Sequence, residues 1–341
     1  MPFASDSIRD DRWLRAQVTA QMPATLFIFG RPQALASVVA GRLKLVELVA
    51  RYALAAGLDV ELVGEPHADT RFAQDSHHMR LYLADRAVYA PNTFHSVSAY
   101  LRGYAYFEET GTRNNSSIRL KTFDPSIITP ARAVWFADRL RDQFVARNQS
   151  KMKQSAFGQH PVEPGALVVF AQDFAPPRWH RHYLTVPRMI EAVIAARGSH
   201  AVFIKPHPKN DAGERAQLQA LHDPQNGVHI TDASLHDLLA AAACAISLTS
   251  ACCFEAFLHH TPAVVCGQTD FHHNAVTLTD PAKMAEAIAA ATSRQWPYDQ
   301  YLAWFLQDNC VEDAEAGLPV ALDRMYRKGF SWADPTGRGF A

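Results

Sequence analysis

The regular alternation of strand and helix patterns between residues 166 and 291 constrains this chain most. Short apolar runs typical of buried parallel strands, at residues 166–171 and 201–205, alternate with helical patterns such as residues 185–197. Parallel strands connected by helices form an open sheet with helices on both faces. The C-terminal half is therefore predicted to be a doubly wound α/β domain, which binds ligands at the carboxyl ends of its strands.

The same patterns extend over the rest of the chain. The further strands predicted here are residues 25–29, 59–63, 228–231, 244–248 and 262–266. The further helices are residues 37–56, 131–148, 210–222, 234–243, 250–259, 281–291 and 298–306. A chain of 341 residues accommodates two domains. We therefore expect an α/β protein with two Rossmann-like domains and a cleft between them.

Charge and composition exclude several classes of protein. Lys and Arg number 33 against 34 Asp and Glu, so the net charge of −1 provides no basic footprint for nucleic acid. No segment approaches the roughly 20 apolar residues that span a bilayer, and the N-terminus is polar rather than signal-like. A cytoplasmic protein is expected, with contact to a membrane surface left open. The five cysteines include no CxxC pair and are interpreted as reduced, mostly buried thiols.

Prolines surround a histidine directly after one predicted strand, in Lys205-Pro206-His207-Pro208. Both prolines keep the backbone extended and prevent a helix. His207 would thus be presented at the edge where ligands bind, where it can donate a hydrogen bond to a phosphate and, if protonated, offset the charge of a leaving group. A structural turn in which His207 caps a neighbouring loop is the alternative.

Small hydroxyl residues end another predicted strand and begin a helix, in Ser247-Leu248-Thr249-Ser250. Free backbone N–H groups and the helix dipole favour a phosphate there. Ordinary N-capping by Thr249 or Ser250 is a compatible interpretation. Glu255, further along this helix, can accept hydrogen bonds from ribose hydroxyls or can simply stabilise the helix start.

A third loop, residues 267–274, carries several polar groups on the same edge, among them Gln268. His272 and His273 are adjacent and point in different directions, so they make a poor chelate. Hydrogen bonding within the loop is therefore expected in preference to metal binding.

Carboxylates occur at two places that suit catalysis. Asp173 follows Gln172 after the first strand of the C-terminal half, where it can act as base, nucleophile or orienting acceptor, or can cap the next turn. Glu108 and Glu109 lie beside a glycine turn, where they can supply a general base or form a solvated acidic turn. The basic stretch at residues 178–182 can bind an anionic sugar or form a solvated face.

Two strings of residues resemble a known family. IKPHPKN at residues 204–210 is similar to the His-Pro motif of capsule-synthesis glycosyltransferases, and SLTSACCFEAFLHHTPAVVCGQTDF at residues 247–271 is similar to their Ser/Thr–Phe-Glu-Ala–Gly segment. That family includes capsular Kdo transferases, which use CMP-Kdo and have a GT-B-like pair of domains. Bacterial sialyltransferases and CDP-glycerol polymerases carry similar motifs, and all three groups release a cytidine nucleotide.

The resemblance implies roles for particular residues. His207 and Ser250 would contact the donor phosphate, Thr249 would lie beside them, and Glu255 would contact the ribose. Asp173 lies where the Kdo transferases carry a Gln- and Asp-containing motif, although Gln172 and Asp173 are adjacent here rather than spaced. Glu109 belongs to a stretch that resembles the acidic-acidic-Gly motif of the sialyltransferases, with Thr110 inserted. Lys205, Ser247 and Gln268 complete the predicted donor site.

The resemblance also gives the predicted domains their roles. Residues 1–150 would form an acceptor-side domain, 151–165 a linker, 166–297 a nucleotide-sugar-binding domain, and 298–341 a C-terminal helix that crosses back, with a tail. A surface loop at 151–165, and a last helix that packs on its own domain, are the alternatives.

The sequence thus predicts a glycosyltransferase that moves Kdo or a similar acidic sugar from a CMP-activated donor to a capsular or lipopolysaccharide glycan. Asp173, Glu109 and His207 are the candidate catalytic residues. Because CMP carries one phosphate, neither a metal nor another cofactor is expected to be essential. The expected partners are the nucleotide-sugar donor, a glycan or glycolipid acceptor, and, peripherally, the inner membrane or capsule assembly proteins. The alternatives are a CDP-glycerol-type glycerophosphotransferase and a non-catalytic binding protein of capsule biosynthesis or export.

Overall fold

The computed structural model describes residues 8–9, 25–64, 78–84, 92–174 and 181–333. The chain forms two compact units. The N-terminal unit comprises Met1–Leu120 with Leu306–Ala341, and the C-terminal unit comprises Lys121–Phe305. The segment predicted as a linker, 151–165, lies inside the C-terminal unit, where Ser155 Oγ donates to the carbonyl of Asp232 and the Gly158 N–H donates to the Asp237 carboxylate.

The strands in chain order are β1 (Ile8–Arg9), β2 (Thr25–Gly30), β3 (Asp59–Gly64), β4 (Met79–Tyr82), β5 (Thr93–His95), β6 (Tyr104–Ala105), β7 (Ala166–Phe170), β8 (Val202–Lys205), β9 (Val228–Ile230), β10 (Ala242–Ser247), β11 (Ala263–Val265), β12 (Val276–Thr277) and β13 (Val311–Glu312). The α-helices are α1 (Pro32–Val39), α2 (Lys44–Ala55), α3 (Pro130–Leu140), α4 (Val186–Ala196), α5 (Ala212–Gln219), α6 (Leu235–Ala241), α7 (Ala251–Glu255), α8 (Met284–Ser293), α9 (Tyr298–Ala303) and α10 (Leu318–Arg327).

The N-terminal unit is built on a five-stranded parallel sheet in the order β1-β3-β2-β4-β5. Its core joins apolar residues of β2 and β4 to α2 and to Leu322 and Met325 of α10. The prediction of a single helix over residues 37–56 is wrong. Gly41 adopts a φ of +67°, a left-handed conformation that ends the first helix, and Pro32 suits the first turn of α1.

The C-terminal unit is built on a six-stranded parallel sheet in the order β12-β11-β10-β7-β8-β9. From β7 the chain adds β8 and β9 on one side of the sheet, and then β10, β11 and β12 on the other. This reversal of direction confirms the doubly wound α/β prediction, and it places the switch point between β7 and β10. The core packs α4, α5 and α8 against the sheet through residues such as Met189, Leu218 and Ile288.

Two helices predicted in the C-terminal part of the chain change from α-helix to another helical conformation along their length. The helix predicted over residues 250–259 is α7 followed by a 3₁₀ turn, Ala256–His259, which ends where His260 adopts a φ of +54°. Likewise α9 continues as a π-helix over Trp304–Asn309 instead of ending at residue 306.

A histidine pair is buried between α6 and this 3₁₀ turn. His236 Nε2 lies 2.9 Å from the carbonyl oxygen of Gln149, and His236 Nδ1 lies 2.9 Å from His259 Nε2. Because a carbonyl only accepts, His236 Nε2 carries the proton, and its Nδ1 accepts a hydrogen bond from His259. This arrangement uses the neutral form of both rings. Burial lowers both pKa values, that of His259 to about 4.

We predict that stability falls as the pH drops from 6.5 towards about 4. In this window the unfolded chain protonates His259 and the folded chain does not, so acid favours unfolding, by about 1–3 kcal/mol over the window. Urea unfolding across this range measures the slope. His259→Gln should flatten it, whereas His200→Gln, at an exposed histidine, should not. An unchanged slope in His259→Gln would contradict the assignment.

Candidate functional site

The side chain of Gln172 joins the loops that follow β7 and β10, on the two sides of the switch point. Its Oε1 accepts the backbone N–H of Thr249 at 2.8 Å, and its Nε2 donates to Thr249 Oγ1 at 3.3 Å. Thr249 Oγ1 also lies 3.5 Å from His182 Nε2. One amide therefore uses both its acceptor and its donor to position the Thr249 turn. The sequence pointed to Gln172 only as the neighbour of Asp173.

Asn210 connects the His-Pro loop to the same place. Its Oδ1 accepts the N–H of His207 at 2.6 Å, while its Nδ2 donates to the carbonyl of Gln172 at 3.2 Å and to Glu214 Oε2 at 2.7 Å. The side chain is buried. Asn210 thus brings the loops after β7 and β8 together, a role that sequence analysis did not assign, although Asn210 ends the motif string.

The hydrogen bonds of His207 define its tautomer. The backbone N–H of Lys209 donates to His207 Nδ1 at 3.1 Å, so the neutral ring carries its proton on Nε2. Burial lowers the pKa of this half-buried ring, and the negative charge of Asp173 acts in the opposite direction. Near neutral pH the neutral His207 ring therefore offers its Nε2–H as a hydrogen-bond donor.

Gly267 allows the loop after β11 to approach this region closely. A Cβ atom at this position would lie 2.5 Å from the carbonyl oxygen of Arg181 and 2.6 Å from Thr249 Cγ2. The next residue, Gln268, donates its N–H to the same Arg181 carbonyl, and its side chain is partly buried. Residues 178–180 of the predicted basic stretch lie outside the described residues.

The serine hydroxyls are used within the turn. Ser247 is fully buried, and its Oγ accepts the N–H of Ser250 at 3.0 Å and lies 3.1 Å from Cys253 Sγ. Ser250 Oγ accepts the N–H of Cys252 at 3.2 Å, so Ser250 caps α7. The two serines therefore fix the backbone conformation of the turn that carries Thr249.

Lys205 and Glu255 are also engaged within the C-terminal unit. Lys205 Nζ donates to the carbonyl oxygen of Ala233, and burial lowers its pKa. Glu255 is only 2% exposed, and its Oε1 accepts a hydrogen bond from Ser150 Oγ at 2.9 Å. The structure thus gives Glu255 a structural contact, to the segment that precedes β7.

Of the carboxylates, Asp173 is exposed beside the His-Pro loop, whereas Glu108 and Glu109 belong to the N-terminal unit. Glu108 accepts the N–H of Ser117 at 2.9 Å, and Glu109 Oε2 pairs with Lys328 Nζ at 3.1 Å. Because Lys328 lies more than 200 residues from Glu109 in the sequence, no local pattern indicated this ion pair.

No group of three or more His, Cys, Asp or Glu residues in the described part of the chain is arranged to hold a metal ion. Within the same ranges, none of the helices combines the length and apolar character needed to cross a bilayer.

We predict that Gly267→Ala destabilises the protein by about 2 kcal/mol or more, because the new methyl group meets a backbone oxygen that cannot move away alone. Chemical unfolding measures the loss. Gly213→Ala is the matched control, since its Cβ would meet only the Asp211 side chain, at 3.3 Å. Equal stability of the two variants would show that the loop does not need this close approach.

The fold places the chain among α/β proteins with two Rossmann-like units, the architecture of GT-B proteins. A solved structure from Thermosulfurimonas dismutans, KpsC described as a beta Kdo 2,7 transferase, matches with a TM-score of 0.51 at 11% identity, over 89% of this chain and 98% of that chain. KpsC described as a beta Kdo 2,4 transferase, from the same organism, matches with a TM-score of 0.49 at 12% identity, over 83% and 90%.

Residues 179–307 match the model of the family described as capsule polysaccharide biosynthesis protein. This segment holds the His-Pro loop, the Thr249 turn and the Gly267 loop, and the resemblance to this family is confirmed for the segment as a whole. The similarity to the capsule polysaccharide biosynthesis family thus covers 129 of the 341 residues, nearly all of them in the C-terminal unit. Comparison with curated protein sequences gives no significant match.

Proposed function

We propose that this protein is a glycosyltransferase that transfers Kdo or a similar acidic sugar from a CMP-activated donor to a capsular or lipopolysaccharide glycan. The observation that carries the proposal is the convergence at the switch point. Gln172 and Asn210 hold the His-Pro loop and the Thr249 turn together where doubly wound sheets bind their ligands. The family match over residues 179–307 supports the glycan part of the proposal.

In this proposal the donor phosphate lies against the His-Pro loop and the turn at Thr249 and Ser250. The Nε2–H of His207 donates to a phosphate oxygen, and the bond from Lys209 to Nδ1 keeps that donor correctly oriented. As the bond to the sugar breaks, negative charge accumulates on the departing CMP. A donor that is already in position stabilises this charge without reorganisation.

Asp173 is the catalytic carboxylate that the structure favours. It is exposed, and its charge acts on the His207 ring, so it lies within the same group of loops. Glu109 stays the second candidate, but its ion pair with Lys328 would have to break before it could act as a base. Asp173 would act either as nucleophile on the sugar or as base on the acceptor hydroxyl.

The remaining parts of the proposal concern cofactor, location and partners. We infer that neither a metal nor another cofactor is essential, since CMP has one phosphate, and that the protein acts in the cytoplasm. Contact with the inner membrane or with capsule assembly proteins is also proposed. Exposed apolar side chains beside and on α3, Ile127 at 63% and Trp135 at 56%, support the membrane contact, which co-sedimentation with anionic lipid vesicles tests.

We predict that the protein binds CMP and that His207→Ala weakens binding by about tenfold or more, because a hydrogen bond to a charged phosphate is lost. Isothermal titration with CMP, UDP and CDP-glycerol measures this. His200→Ala, at an exposed histidine, should bind as the unchanged protein does. Absence of CMP binding, or indifference to His207, would contradict the donor assignment, and a preference for CDP-glycerol would favour the glycerophosphotransferase alternative.

We also predict that Asp173→Asn slows the release of CMP from CMP-Kdo by about a hundredfold or more while CMP affinity changes little, because the charge acts in the reaction rather than in binding. Rates measured with a capsular glycan acceptor test this, with Glu109→Gln as the companion variant. If Glu109→Gln is inactive and Asp173→Asn is active, the two roles are exchanged.

A further inference from the structure

A second concave surface lies in the C-terminal unit, outside the predicted donor site. It is an open groove of about 830 Å³ between the start of the unit and the segment that joins α8 to α9. None of the residues that line it belongs to the predicted donor site. The side chains that matter here are Lys121, Phe123, His272, His273, Arg294 and Trp296.

The permanent charges that line this groove are positive. They belong to Lys121 and Arg294, and among the described residues no Asp or Glu lines it. Two histidines lie beside them, and burial lowers the pKa of His273. In a chain with a net charge of −1, a concave surface lined by two cations and by none of the described carboxylates is a local feature. Such a surface favours an anionic ligand.

Arg294 is held in place. Its guanidinium lies over the ring of Trp296 at 4.1 Å from the centroid, and Trp296 is in turn anchored by its Nε1–H, which donates to the carbonyl of Ala291 at 2.9 Å. A stacked guanidinium loses less conformational freedom when it binds a carboxylate in a bidentate manner. Arg294 is thus an anion-binding group that is oriented before any ligand arrives.

The two histidines complete the inner side of the groove. His273 Nε2 lies 2.8 Å from the carbonyl of Lys121, so it donates there and ties the histidine loop to the start of the unit. His272 Nδ1 lies 3.0 Å from the carbonyl of Thr269, which leaves its Nε2 for other partners. The neutral His272 ring therefore has an acceptor, Nε2, to which a ligand hydroxyl can donate.

The remaining lining suits a sugar rather than a small inorganic anion. The amides of Gln295 and Gln300 match the hydroxyl groups of a saccharide, and Phe123 provides an apolar ring surface. The groove is open rather than enclosed, as the binding of a saccharide chain requires.

We propose that this groove binds an acidic saccharide through its carboxylates, with Arg294 as the principal contact. The identity of this saccharide rests on the proposed function, under which it is the growing acceptor glycan. The loop that begins at Gln268 in the predicted donor site ends at His272 and His273 in the groove. One loop therefore connects the donor site to the bound glycan.

The test is titration of the full chain with hexagalacturonate and with a sialic acid hexamer, against neutral maltohexaose. We expect the acidic oligosaccharides to bind and maltohexaose not to bind. Arg294→Ala should weaken the binding about tenfold, since it removes a charge-assisted contact. Arg188→Ala is the matched control, because Arg188 is exposed on α4 and pairs with Glu191 at 3.0 Å, away from the groove.

Affinity of the acidic oligosaccharides weaker than about 1 mM, or equal in Arg294→Ala and the unchanged protein, would overturn the proposal. Equal binding of inorganic phosphate or of a single-stranded oligonucleotide would also overturn it, because the surface would then be a general anion site. CMP affinity is measured in the same variants. If the unchanged protein binds the acidic oligosaccharides but not CMP, the proposed transferase function is contradicted and the groove proposal stands. If it binds CMP but not the acidic oligosaccharides, only the groove proposal is contradicted.

Discussion

The two hydrogen bonds between the Gln172 side chain and Thr249 are the contact on which the rest of the candidate site depends. They cross the switch point of the sheet. There β7 and β10 are neighbouring strands whose connections run in opposite directions, to β8 and to β11, so no strand lies between the loops that follow them. Asn210 then attaches the His-Pro loop to the carbonyl of the same glutamine. Three loops that are remote in sequence therefore share one residue, and a change there affects all of them.

Much of the fold could be predicted because it rests on local signals. Buried parallel strands are continuous apolar runs, and β7, β8, β9 and β10 lie within one or two residues of their predicted bounds. The helix predicted over residues 37–56 failed where apolar periodicity continued through a change of backbone at Gly41, which has a positive φ. A helical pattern records which residues face the core, and it does not record a break between two helices that use the same face.

The site was predictable in its residue types and less so in their functions. The motif strings indicated His207, Thr249 and Ser250, yet the structure assigns the serine hydroxyls to the turn and gives the bridging role to Gln172. Such assignments depend on which polar groups meet after folding. Asn210 and Lys328 show the same limit, because their partners come from other loops or from the other end of the chain.

The two binding sites proposed for the C-terminal unit would use different chemistries for anions. At the His-Pro loop the proposed donor is the neutral imidazole of His207. Its Nδ1 already accepts the N–H of Lys209, and burial lowers its pKa. In the groove the proposed principal donor is a permanent cation, Arg294, which is stacked on the buried Trp296 ring. Neutral hydrogen-bond donors discriminate by geometry and depend little on salt, whereas exposed cations attract charge over distance and are screened within about 8 Å at physiological ionic strength. A site that binds one phosphate in one orientation suits the first, and a surface that binds a polyanionic chain suits the second.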